Sequence, residues 1–501
     1  MKEILSVDNM RKSDSYTIKN NIPSSSLMHN AAYGIYKNLP LNNYNEPKIL
    51  IVCGTGNNAG DGYALAEILL KNGHRVAILL IEERFSPDGK YYFDRCVELG
   101  AQCSVYSGSL PTSDIIVDCI FGTGFRGEPT EVYKEIIEKI NDSSAYVVSA
   151  DINSGLNGDS GLGSCVIKSD LTVSIGSYKS GHFLNMAKDK ISSLVNEDIG
   201  ILPLDKPYYL FELEDAKKAL PKRAEFSHKG TYGYITLIGG SYEYSGAIKL
   251  ANISASAMRT GAGVVRVATP KSIADFVGPH LLESTLYPLS EENGAIKLNK
   301  DEIDGAIKGV RAIGIGMGLG MRGDNQEVIS YVLKNANVPV LLDADAINTI
   351  SKLDISKIKG NGTLVLTPHL KEFERLIKIP LEKIQENPVF YAKEYASKNG
   401  IILLLKGTTT IVTDGDNVSF INRGCCGMAT AGSGDVLSGI ITALLAQSPN
   451  TPFEMVCLGA YINGLAGEIA QKEYGEISMV ASDTAHAIVK AIKEISKKEN
   501  K

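Results

Sequence analysis

The sequence predicts an α/β protein made of two doubly wound domains, and three observations carry that prediction. Val- and Ile-rich runs alternate with helical patterns, which builds parallel sheets with helices on both faces. The alternation breaks once, near 203–225, in "PLDKPYYLFELEDAKKALPKRAEF" with its three prolines and many charges. Glycine-rich turns follow strands in both halves, at the carboxyl ends where open α/β sheets bind ligands.

In the first half, "KILIVCG" (48–54) reads as a buried strand and "YALAEILLKNG" (63–73) as a helix with a Gly stop. "HRVAILLIE", "DIIVDCIFG" (114–122), "AYVVSADINSG" (145–155) and "DLTVSIGS" (170–177) continue the sheet. The second half restarts with "GYITLIGGS" (233–241) and a helix over 245–263. "VVRVATP", "RAIGIGMGLG", "VPVLLDAD", "GTLVLTPH" and "IILLLKG" are its further strands, and helices follow near 435–447, 453–472 and 482–497. The domains expected are 1–215 and 216–501.

Composition bounds the function. The chain has 501 residues, 44% hydrophobic and 22% charged, which is ordinary for a globular protein. A net charge of −6 argues against a nucleic-acid partner. The Lys-rich tail "KEISKKENK" reads as a solvated helix end. The 8 cysteines lack metal-type spacing, so reduced thiols and a cytoplasmic location are expected. The N-terminus has no apolar leader run, and "IILLL" (401–405) is far too short to span a bilayer, so no membrane partner is expected.

Two loops stand out. "CGTGNNAGDG" (53–62) follows a strand and opens a helix. Its glycines admit a close ligand and the helix start offers free N–H groups. It is neither a dinucleotide fingerprint nor a Walker A loop, and Asp61 could simply cap the helix. Two other strand ends, "VDCIFGTGFRGE" and "SADINSG", add hard oxygen donors of the type that suits an alkali or alkaline-earth ion. The second loop, "ATAGSGDVLSG" (429–439), puts Gly432, Ser433 and Gly434 before Asp435 at a helix start. Backbone N–H groups there can hold an oxyanion, and the Asp can take a proton or cap the helix.

"GNNAGDG", "DCIFGTGFRG", "DINSG" and "SYKSGH" together resemble the epimerase domain of the NAD(P)H-hydrate repair enzymes, a Rossmann-like fold. The resemblance implies that Asn57, Asn58, Ala59, Gly60 and Asp61, with Gly122, Thr123, Gly124, Phe125, Arg126, Gly127 and Glu128, contact the hydrated cofactor. It places Asp151 at the reacting ring and gives Asn58, Asp118 and Ser154 to K+. The chain departs from the family at Asn153 (usually Pro), at Ala59 (usually Gly) and near "LMHNAA", where the family carries a Glu.

"HKGTYGYITLIGGS", "GMGLG", "DADAIN", "TPHLKEF" and "KGTTT", ahead of "ATAGSGD", resemble the hydrate dehydratase branch of the ribokinase-like fold. That implies hydrate contacts at Gly318, Gly320, His369, Leu370, Lys371, Glu372, Phe373 and Asp435. It implies a nucleotide site at Lys406, Gly407, Thr408, Thr409 and Thr410, continued by Cys425, Cys426, Gly427, Met428, Ala429, Thr430, Ala431, Gly432, Ser433 and Gly434. Ala431 and "CCGM" depart from the usual Gly and Asn-Pro-Gly-Met.

The expected function is therefore repair of hydrated NADH and NADPH, with Asp151 and Asp435 catalytic. The first domain would interconvert the R and S hydrates. The second would dehydrate the S form with ADP, or ATP, and Mg2+. Self-association into a homo-oligomer is expected from related domains. Two alternatives are a ribokinase-like small-molecule kinase and an N-terminal half that only binds.

Overall fold

The structure is a computed structural model that describes residues 2–497 apart from Ser256. The helix expected over 245–263 is found as Ser245–Ala255 and Ala257–Thr260, with Ser256 outside the described residues, as are the last four residues of the Lys-rich tail. Contacts divide the chain into a unit running Glu3–Tyr208 and a second from Tyr209 onward.

The N-terminal unit holds seven parallel strands. Counted along the chain from Ile49–Cys53, they lie in the order 3-2-1-4-5-6-7. The central strands Ile49–Cys53 and Ile115–Cys119 are buried at every position, which is why they read as unbroken aliphatic runs. Helices Val7–Asn20 and Ser24–Asn38 precede the sheet, and Leu27, Ala31 and Ile35 join one core with Tyr63, Leu65 and Leu69 of helix Asn57–Lys71.

The C-terminal unit repeats that order. Counted from Tyr234–Ile238, its strands lie 3-2-1-4-5-6-7, all parallel, and an antiparallel hairpin of Thr410–Thr413 and Val418–Ile421 extends the edge. Helices Ser433–Gln447, Pro452–Tyr474 and Ala481–Ile495 bury their small and aliphatic faces in the main core. Among the described residues no helix is long and apolar enough to cross a membrane.

Both sheets reverse winding between their first and fourth strands, so a crevice opens at the carboxyl ends there. In the N-terminal unit the crevice needs a glycine: a Cβ at Gly54 would lie 2.1 Å from the Ile120 carbonyl oxygen of the neighbouring strand end. Gly54→Ala should cost about 2–3 kcal/mol, because backbone cannot retreat as a side chain can. Urea unfolding followed by circular dichroism checks this. A loss below about 0.5 kcal/mol would contradict so close an approach.

Candidate active sites

The N-terminal crevice is a cavity of about 520 Å3. The turn after Ile49–Cys53 contributes Gly56, Asn57 and Asn58, and the turn after Ile115–Cys119 contributes Gly122, Thr123, Gly124 and Phe125. Asp61 and Asp151 line it too. Asp61 is no cap: Gly56 holds the cap position and Asp61 lies inside helix Asn57–Lys71. Ala59 and Gly60 are buried behind the wall, Gly60 against Met28. Arg126, Gly127 and Glu128 are exposed and do not line the cavity.

Asp151 directly follows strand Tyr146–Ala150 in the left-handed region, with φ 66°. Its carboxylate accepts a hydrogen bond from Lys179, a fully buried ammonium that also donates to the Ile175 carbonyl at 2.7 Å. Burial alone would raise the Asp151 pKa, but the Lys179 charge and hydrogen bond outweigh it and hold the group below the usual carboxylate range. Asp61 and Asp14 go the other way: burial, and then the negative charge of Asp151, push both up. His182 braces the pair. Its Nδ1 accepts the Lys179 N–H at 3.1 Å, so Nε2 donates to the Asp151 carbonyl at 2.9 Å. Burial, then Lys179, lowers the His182 pKa to about 3, so the ring is neutral.

Asn153 performs the work of a rigid turn residue. Its Nδ2 donates to the Ile167 carbonyl at 2.9 Å and to Ser169 Oγ at 3.0 Å, and its Oδ1 accepts from Thr172. Asp118 and Ser154 meet directly: Ser154 Oγ and N–H both donate to the Asp118 carboxylate, alongside Ser149 Oγ and Ile120 N–H. Asn58 packs beside Gly122, and both its amide atoms are buried without a hydrogen-bond partner. An orphaned amide in a cavity wall fits a polar or cationic guest.

In the C-terminal unit, Asp343 is the hub. It directly follows strand Val340–Leu342, is 1% exposed, and accepts from Lys406 Nζ at 2.9 Å, Thr367 Oγ1 at 2.8 Å and Ser438 Oγ at 2.8 Å. These partners come from three further elements. Gly434 closes over the pair, since a Cβ there would sit 3.4 Å from both Asp343 Oδ2 and Lys406 Nζ. Burial lowers and Asp343 and Glu372 raise the Lys406 pKa, with a net rise that keeps it charged. Asp435 is the third position of helix Ser433–Gln447, whose cap is Gly432 with φ 93°. No side chain caps that helix, so the capping role fails for Asp435 as well. Burial, then Asp343, raises its pKa to about 7, against the lowering effect of Lys406.

His369 is itself a helix cap. Its Nδ1 accepts from the Lys371 and Glu372 N–H groups, and Glu372 accepts from the His369 N–H at 2.8 Å. Leu370 is half-buried and Lys371 exposed, while Phe373 is fully buried edge-on to Tyr395. Gly318 approaches the Tyr244 carbonyl, and the Gly320 N–H donates to Asp345 at 2.8 Å. Gly320, Asp345, Ser241 and Tyr244 line a cavity of about 350 Å3 at this sheet's own reversal.

The loop expected to take nucleotide is held by helix Pro452–Tyr474. Glu468 accepts the Gly424 N–H at 2.9 Å and Gln471 the Gly427 N–H at 3.0 Å. Cys426, Ala429 and Ala431 are exposed, Cys425, Met428 and Thr430 half-buried, and Ser433 donates to the Met428 carbonyl. Gly407 and Thr408 are exposed, Thr410 is half-buried, and buried Thr409 bonds Asn422 at 3.0 Å.

Neither Lys179 in "SYKSGH" nor Asp343 in "DADAIN" has a role that local pattern assigns, although a lysine inside an otherwise small or apolar strand end is itself a signal. Asp14 lies in a polar, charge-mixed helix, and nothing local marks it.

Residues 235–490 match the family described as NAD(P)H-hydrate dehydratase, and residues 24–181 match the YjeF-related protein N-terminus. The "Bifunctional NAD(P)H-hydrate repair enzyme Nnr" of Moorella thermoacetica is 34% identical over 92% of this chain and 91% of its own length. That of Dictyoglomus turgidum is 30% identical over 100% of both chains. The ADP/ATP-dependent NAD(P)H-hydrate dehydratase of Bacillus subtilis, crystallised with ATP and Mg2+, gives a TM-score of 0.51 at 29% identity, covering 57% of this chain and 99% of that one. With both domain types in order and full-length relatives across the chain, the protein belongs to the bifunctional NAD(P)H-hydrate repair enzyme family.

Proposed function

We propose that the N-terminal unit epimerises the R and S hydrates of NADH and NADPH at C6, and that the C-terminal unit dehydrates the S form at the expense of ADP or ATP. The observation that carries the reading is the place of Asp435, its pKa raised to about 7, beside the half-buried Lys406 and its buried partner Asp343. A carboxylate poised near the working pH is a competent general base. Asp435 takes the proton of the C6 hydroxyl as a phosphoryl group moves onto that oxygen. N–H groups around Gly432 to Gly434 stabilise the transferring charge. Phosphate then leaves as N1 donates its electron pair, and loss of a C5 proton restores the ring.

Lys406 orients Asp343 and lowers the Asp435 pKa toward neutrality. The loops 406–410 and 425–434 take the nucleotide, and the cavity lined by Gly320 and Asp345 takes the hydrated ring. Mg2+ arrives with the nucleotide and screens its phosphates. In the N-terminal unit, Asp151 acts at the ring and residues 57–61 and 122–125 hold the cofactor. A potassium ion held by Asn58, Asp118 and Ser154 would supply a hard positive charge for the cofactor's phosphates. The domain boundary is drawn near 215. The working protein is a cytoplasmic homo-oligomer.

The whole-chain test supplies mixed R and S hydrates with ADP and Mg2+ and follows recovery of reduced-nicotinamide absorbance. No recovery with either ADP or ATP overturns the reading. Within it, Asp435→Asn should lower the single-turnover rate on S hydrate by about 10²–10⁴. Wild-type turnover should rise with pH through about 7, as Asp435 ionises. The same group makes a stability prediction. Its folded pKa lies above its unfolded value, so the folded state binds the extra proton between about pH 4 and 7 and stability falls as pH rises through that window. Asp435→Asn should therefore melt higher than wild type at pH 8, with the gap narrowing toward pH 5. A lower melting temperature would return Asp435 to a structural role.

Lys406→Met should leave Asp343 buried without its cation, at a cost of about 3–5 kcal/mol. It should also shift the rising limb of the turnover profile to higher pH, because Lys406 lowers the Asp435 pKa. Nucleotide affinity, read by calorimetry, should fall more than hydrate affinity. An unchanged limb would separate Lys406 from Asp435.

A further inference from the structure

We infer that Asp14 is the proton donor of the epimerase site, acting opposite an ionised Asp151. The inference deepens the epimerase reading above and rests on it. Asp14 stands on helix Val7–Asn20, outside the 24–181 stretch matched to a family, yet it lines the same cavity as Asp61 and Asp151.

The ionisable groups lining the cavity are Arg11, Asp14, Asp61, Asp88, Asp151 and Lys179. Asp88 accepts from Ser24 Oγ at 2.6 Å, and exposed Arg11 reaches the Gly124 carbonyl at 3.4 Å. That leaves three carboxyl groups, Asp14, Asp61 and Asp151, around one buried ammonium. Like charges in a partly desolvated pocket do not all ionise, and the proton they retain belongs to the cluster. Lys179 contacts Asp151 directly, so Asp151 is the member kept ionised. Among the described residues neither Asp14 nor Asp61 has a hydrogen bond that would stabilise its charge, and both are pushed toward the protonated form by burial and by Asp151. Asp61, half-buried on helix Asn57–Lys71, is pushed up the further of the two and keeps its proton, while the smaller rise leaves Asp14 able to give its proton up. Asp14 is half-buried between exposed Ser15 and the cavity, so it can exchange protons with water between turnovers.

One ionised and one protonated carboxyl are what a hemiaminal needs to invert. C6 of the hydrate carries the hydroxyl and is bonded to N1. Asp151 takes the hydroxyl proton, and the O–H electron pair becomes the second bond of a C6 carbonyl. The C6–N1 bond breaks with its pair on N1, and Asp14 delivers its proton there. Rotation about C5–C6 presents the other carbonyl face. The reverse proton transfers close the ring with inverted C6 and restore both aspartates. Nothing is oxidised, reduced or consumed.

The test uses the full chain without nucleotide, with R and S hydrates resolved chromatographically and the uncatalysed rate subtracted. Asp14→Asn should lower the epimerisation kcat by about 10²-fold or more with KM within about threefold, since the loss is of proton transfer and not of binding. Wild-type kcat should fall on the alkaline side as Asp14 loses its proton, and that limb should be absent from Asp14→Asn. Asp14→Glu should restore part of the rate. Dehydration of pure S hydrate with ADP should be unchanged in both variants, which reports an intact C-terminal unit, while the retained KM reports an intact epimerase cavity. An active wild type with Asp14→Asn within about threefold of it, or an alkaline limb that survives in the variant, overturns the assignment alone. A wild type that epimerises nothing overturns the epimerase reading and this assignment with it.

Discussion

Everything at both sites depends on one topological constraint: each parallel sheet reverses its winding between its first and fourth strands. Connections leave neighbouring strands on opposite faces there, so no crossover fills the space above them. In the N-terminal unit the turns after Ile49–Cys53 and Ile115–Cys119 border that space. In the C-terminal unit the turns after Tyr234–Ile238 and Ala312–Ile315 border the equivalent space with Ser241, Tyr244 and Gly320. The two glycine-rich loops are nevertheless different devices. The first is the turn after a leading strand. The second opens helix Ser433–Gln447, which packs its N-terminus over the ends of later strands and brings Asp435 to Asp343 and Lys406.

Each unit then sets a lysine, buried at Lys179 and half-buried at Lys406, among carboxyls whose pKa values it helps to split. Lys179 stabilises the charge on Asp151, and the same negative charge drives Asp14 and Asp61 upward. Lys406 bonds Asp343, and Asp343 with burial raises Asp435. Groups whose environments push their pKa values apart are suited to opposite halves of a proton transfer. A buried ion pair adds little net stability, so these pairs make most sense as electrostatic settings for their neighbours.

Most of the fold was legible because its central strands are buried on both faces and read as aliphatic runs. Elements that escape pattern reading have a physical excuse. Gln102–Val105 is exposed at every position and Leu194–Glu197 is only half-buried, so neither carries the aliphatic signature of a parallel core strand. At the sites, Asp151 and Asp435 were legible because each sits in a local glycine-containing turn at an element end. His369 and Phe373 lie in the glycine-free strand-end stretch "TPHLKEF", and in the folded chain one is a helix cap and the other is core. Arg126 to Glu128 continue a cavity-lining turn and yet face solvent.

By itself the sequence determined the α/β class, the division into two α/β units and the turns in which Asp151 and Asp435 lie, because those follow from local periodicity and backbone freedom. Only the tertiary structure decided which carboxylates share a lysine. Lys179 is 28 residues from Asp151 and Lys406 is 63 from Asp343, and Asp14 comes from a helix with no local mark of function. Desolvation and charge coupling act through space, so the protonation states that would drive this chemistry exist only once the chain has folded.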